Sequence, residues 1–138
     1  MWPTDNMDSW RRIREFIDEF PDDERWLDWK RIAKSLISSL TEEHLDRSLR
    51  IGQSMSHIIF STIDHHRLYQ EPRVTVEIRE KDKKLRFAYS TSNLWFNEPI
   101  EEITVYEADA LLVAKHMLRK LWLVTKPGME VPDALREA

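Results

Sequence analysis

The sequence predicts an α+β fold: three N-terminal helices, a two- or three-stranded antiparallel β-meander, and a C-terminal helix packed on one sheet face. Three observations predict it. Apolar residues recur at spacings of three and four as far as about His66; they alternate at every second position from Arg73 to Ser90; helical spacing returns after a capping motif at Thr104–Glu107. No linker, repeat or low-complexity segment interrupts the chain. Its 138 residues are read as a single globular domain, 1–138, with residues 1–5 and 127–138 as loose tails.

The first helix carries Trp10, Ile13, Ile17 and Phe20 on one face, with Asp5, Asn6 and Asp8 as capping residues. Pro21-Asp22-Asp23 stops it and offers the next N-cap. The second helix, from about Asp23 to Leu40, turns Trp26, Trp29, Ala33, Leu36, Ile37 and Leu40 to one side. A short turn between the two makes them an antiparallel pair. Thr41 then reads as the cap of a third helix running to about His66, with Glu42 and Glu43 in its first turn, where the helix dipole favours acids. This stretch contains the longest run without Asp, Glu, Lys or Arg, Ile51 to Ile63, although 33% of the residues are charged. Charged side chains are rarely fully buried, so the run marks the centre of the fold. Projected as a helix, Ile51, Met55, Ile58, Ile59, Phe60 and Ile63 cover more than half its circumference, which makes it the expected central helix.

From Arg73 the period changes to two. Val74, Val76 and Ile78 alternate with Thr75, Glu77 and Arg79, and Leu85, Phe87 and Tyr89 alternate with Arg86, Ala88 and Ser90. Pairing Arg79 with Lys84 sets Ile78 by Leu85, Val76 by Phe87, Val74 by Tyr89 and Glu77 by Arg86. One register satisfies both faces of a hairpin. A short third strand is expected at Leu94–Asn97. Threonine at 104 and glutamate at 107 form a capping box for a last helix over about Val105–Val124, with Leu111, Ala114, Leu118, Leu121 and Trp122 inward.

Composition narrows the function. Two glycines leave no phosphate-cradling loop, so no nucleotide cofactor is expected. The absence of cysteine removes disulfides, thiolate metal sites and thiol nucleophiles. A net charge of −4 argues against nucleic acid as a partner, and the basic residues of the hairpin do not share a face with its aromatics. The longest wholly apolar run is Ala110–Ala114, and the first residues lack a signal-peptide pattern, so no membrane partner and a soluble, cytoplasmic protein are expected.

Four constellations bear on chemistry. Arg50, Ser54, His57, Ser61 and Asp64 fall on one face of the expected central helix. Ser54, His57, Ser61 and Asp64 are therefore the candidate pocket, with His57 as a base or ligand-binding group. The plainer alternative is packing, the hydroxyls bonding carbonyls one turn back. His65 and His66 follow, but no pair of histidines has zinc-helix spacing, and no metal is expected. Acids gather at Glu15–Asp28 and again at Glu98–Asp109, while Arg73–Arg86 is basic, a segregation that would steer a charged partner. Leu94-Trp95-Phe96 cannot all face one core, so Trp95 with its neighbours is the candidate interface anchor, unless all three tuck beneath the last helix. The reading that follows is a non-catalytic protein-interaction module: an inhibitor, adaptor or assembly factor whose partner is another protein or itself. The alternative is a small-molecule or metal-binding protein, or an enzyme, built around His57.

Overall fold

A computed structural model describes residues 5–54, 56–62, 71–91 and 99–136. The class is α+β; the described residues form three α-helices and one antiparallel sheet of five strands in the order β1-β2-β3-β4-β5. Helices α1 (Asn6–Asp18) and α2 (Leu27–Glu42) come first. The strands are β1 (Arg50–Ser54), β2 (His57–Ser61), β3 (Arg73–Arg79), β4 (Lys84–Ser90) and β5 (Glu101–Tyr106), and α3 (Ala110–Thr125) follows the sheet.

Helix α1 begins where its cap predicts: Asp5 is extended and its side chain accepts from the Asp8 N–H at 3.1 Å. Trp10, Ile13 and Ile17 are its buried residues. Helix α2 runs past Thr41, which is not the cap of a further helix. Its hydroxyl donates to the Ile37 carbonyl one turn back at 2.8 Å and accepts from Arg14 at 2.7 Å. The helix ends at Glu42, and two residues on His44 turns the chain away with a left-handed φ of 63°, a conformation usually left to glycine or asparagine. A 3-10 turn at Leu45–Arg47 leads into the sheet.

The expected central helix does not exist. Its described residues form the hairpin β1–β2, so two helices precede the sheet rather than three, and the meander has five strands rather than two or three. The cause is that a two-residue turn imitates helical spacing. Ser54 and His57, three apart, are directly opposite across the turn, while Ile51 and Ile58, seven apart, share the helix-side face. Alternation is also lost because β2 is buried on both faces. Ile58 and Phe60 point to the helices, and Ile59 and Ser61, on the other side, are equally inaccessible.

The β3–β4 register is the one read from the sequence, from Arg73 opposite Ser90 to Arg79 opposite Lys84. The strand expected at Leu94–Asn97 lies outside the described residues. The capping box is overturned: Thr104 sits inside β5, Glu107 opens a 3-10 turn at Glu107–Asp109, and α3 starts at Ala110. Ile, Thr, Val and Tyr in succession suit a pleated strand better than a first helical turn.

All three helices pack on the face that carries Ile51, Ile58, Phe60, Val74, Val76, Leu85 and Phe87, and share one core with it. Helix α1 lies along β1, α2 reaches β3, and α3 crosses β3, β4 and β5. The segment expected as a loose C-terminal tail contributes Leu135 to that core, fully buried, with Val131 and Ala134 against it.

Candidate functional site

On the face turned away from the helices, the registers bring one residue from each strand into a single row: Ser54, His57, Glu77, Arg86 and Thr104. His57 Nε2 stands 3.1 Å from Glu77 Oε2, with both side chains about a third exposed. Arg86 turns the other way and grips Glu102 with two bonds, Nε–Oε1 at 2.6 Å and Nη2–Oε2 at 2.9 Å. Ser54 is directly opposite His57, across the β1–β2 ladder. Ser61 shares the face but stands four residues further along β2, roughly 13 Å away at strand rise. Asp64, and Leu94, Trp95 and Phe96, lie outside the described residues. Thus Ser54 and His57 are brought together, Ser61 is not, and the partner of His57 that the sequence did not suggest is Glu77. The row lies across one face of a sheet rather than along one side of a helix. No group of three or more metal-ligating side chains forms among the described residues.

The acidic and basic blocks of the sequence dissolve into pairs. Asp18 meets Lys34, Asp22 meets Lys30, Glu15 meets Arg11, and Glu107 takes both of its bonds from Arg31.

Strand β5 gathers the remaining polarity. Glu101 reaches from its start to α3, accepting from Lys120 at 2.5 Å and lying 3.0 Å from His116. The Lys120 bond holds the Glu101 carboxyl below the ordinary carboxylate range; burial pushes the other way, and His116 adds a smaller lowering. Arg86 likewise depresses Glu102. A carboxyl lowered in the folded state contributes stability that is full above its unfolded value and lost as pH falls through the folded one. Glu101→Gln is therefore expected to lose less than about 1 kcal/mol at neutral pH, the pair being part-exposed. The gap between variant and wild type should close in acid. Urea unfolding of both proteins across that range checks it, and a gap that persists or widens in acid would contradict the assignment.

Around β5 the surface turns apolar. Ile100 is 64% and Tyr106 60% exposed, with the Tyr106 ring held 4.9 Å from the Lys84 ammonium. The alternation of Ile103 and Val105 with Thr104 and Tyr106 was the available sequence signal for this strand; the capping motif overlying it concealed it. No helix among the described residues is long and apolar enough to cross a membrane. The chain matches no family model, no curated protein and no solved structure.

Proposed function

We propose that this chain is a small cytoplasmic protein-interaction module, an inhibitor, adaptor or assembly factor working without catalysis, whose partner is another protein or a second copy of itself. The observation that supports it best is the unequal treatment of the two sheet edges. At β1 the edge is covered by α1, whose Ser9 Oγ accepts from the Ile51 N–H at 3.0 Å and whose Trp10 indole donates to the Leu49 carbonyl at 2.7 Å. At β5 no described strand or helix pairs with the edge, and exposed Ile100 and Tyr106 flank it. An open edge with apolar neighbours is a template for another strand. Leu94, Trp95 and Phe96 precede this edge closely in the chain and remain the candidate anchor.

A second reading keeps the polar site of Ser54, His57, Ser61 and Asp64 as a place for a small polar ligand or metal, and the pairing of His57 with Glu77 favours it. Native mass spectrometry of tagged protein isolated gently from its own cells separates the two. A whole-number multiple of the 16.6 kDa chain, or a complex with another polypeptide, supports the interaction module. A bare single chain counts against it. A retained small mass moves the assignment to His57; His57→Ala should then fold normally and lose ligand-induced thermal stabilisation.

A further inference from the structure

We infer that the partner at the β5 edge is β5 of a second copy, paired antiparallel about a two-fold axis at Thr104 and joining two sheets into one of ten strands. This rests on the interaction-module reading and names the partner. The first support comes from tracing backbone direction across the sheet. In an antiparallel ladder each residue aims its N–H and C=O at the same neighbour, and the next residue aims both the other way. The Ile51 N–H points away from β2, because Ser9 accepts it. Carried through the four registers, that alternation turns Leu85, Phe87 and Tyr89 towards β5. The opposite end of the sheet agrees independently, since the Tyr89 carbonyl accepts from the Ile100 N–H at 2.8 Å. Glu101, Ile103 and Val105 then bond β4, and Glu102, Thr104 and Tyr106 aim their N–H and C=O groups across an edge that no described strand covers.

Edges of this kind are usually protected by charge. Here the protection is disarmed within the chain: Glu102 is neutralised by Arg86, and Glu101 by Lys120. What remains is self-complementary. A two-fold axis normal to the sheet sets one residue opposite its own copy and keeps all the helices on one side. With Thr104 on the axis, Glu102 faces Tyr106 of the second copy and Tyr106 faces its Glu102, so all three outward residues find ladder partners. On the helix side Ile103 meets Val105 in both directions. Both are only partly buried against the core in one chain, so the pairing extends that core. With Ile103 on the axis instead, Tyr106 would face Ile100, whose N–H is already given to Tyr89, and Glu101 would face Val105. Backbone accounting and apolar matching both choose Thr104.

A pairing of six-residue strands buries little area, so the dimer should be weak and concentration-dependent. The chain has no cysteine, so single-cysteine variants report it without background. Thr104→Cys, opposite its own copy, should give a disulfide-linked dimer under mild oxidation. Glu102→Cys and Tyr106→Cys should each form little disulfide alone and cross-link when mixed. Thr104→Pro removes only an outward N–H, so it should fold with a melting temperature near wild type and lose the dimer in light scattering. Cross-linking through Ile103→Cys but not Thr104→Cys would overturn the register. Wild-type protein that stays monomeric up to high concentration, with no Thr104→Cys dimer, overturns self-pairing. In that case a polypeptide retained from cells by wild type and lost with Thr104→Pro would still leave the interaction module standing, and a bare chain would remove both.

Discussion

Trp10→Ala is expected to bring this protein to the margin of stability or unfold it. The Trp10 side chain is completely buried, packs 5.9 Å from the Phe60 ring centroid, and donates its indole N–H to the Leu49 carbonyl at 2.7 Å. Emptying a buried aromatic site costs about 3–5 kcal/mol. Orphaning a buried carbonyl adds about 1–3 kcal/mol. A domain of this size has only about 5–15 kcal/mol in hand. Trp10→Phe separates the two losses, since a ring remains against Phe60 while the Leu49 carbonyl loses its donor. That variant should lose an intermediate amount, and hydrogen exchange should quicken at Ile51, whose N–H is held by neighbouring Ser9. Urea unfolding followed by circular dichroism measures both. A loss under about 1 kcal/mol for the alanine variant would mean that α1 does not lock the β1 edge.

That lock also explains what could and could not be read in the sequence. The β3–β4 hairpin was legible pair by pair because charged, hydroxyl or small residues alternate with large apolar ones, and one register matches both faces. Helix α1 was legible through its aspartate cap and its Trp10, Ile13 and Ile17 stripe. The hairpin β1–β2 was not, for two physical reasons. The break before it is made by His44 in a left-handed conformation, where no glycine or proline advertises a stop. Its two-residue turn then reproduces the spacings of three and seven that a helix would give. The candidate site suffered with it. Ser54 and His57 do share a face, though as neighbours across a hairpin; Glu77 arrives beside His57 only through the β2–β3 register, which nothing local specifies. The β5 edge is a property of strand order alone. No single segment encodes it, because it depends on which strand has only one neighbour among the described residues.

Trp29→Ala should produce the second large loss, about 3–5 kcal/mol, for a different reason. Trp29 is 1% exposed and closes an aromatic cluster, 4.5 Å from the Phe20 ring and edge-on to Trp26 at 6.4 Å. Its indole N–H reaches the Ser56 carbonyl in the β1–β2 turn at 3.3 Å, and its backbone N–H is accepted by Glu80 of the β3–β4 loop at 3.2 Å. One residue thus ties the start of α2 to two separate turns of the sheet. It also explains why α2 begins at Leu27 and not at Asp23. Trp26, at the N-cap, has no side-chain acceptor to offer, and Glu80 supplies the missing carboxylate from across the molecule. Asp23 is occupied in a local turn, accepting from the Arg25 N–H at 2.9 Å. Glu80→Ala should therefore cost about 0.5–2 kcal/mol, the range of a lost helix cap, although Glu80 lies fifty-one residues away in the chain. If Trp29→Ala proves milder than Glu80→Ala in urea unfolding, the cap and not the aromatic cluster holds α2 to the sheet.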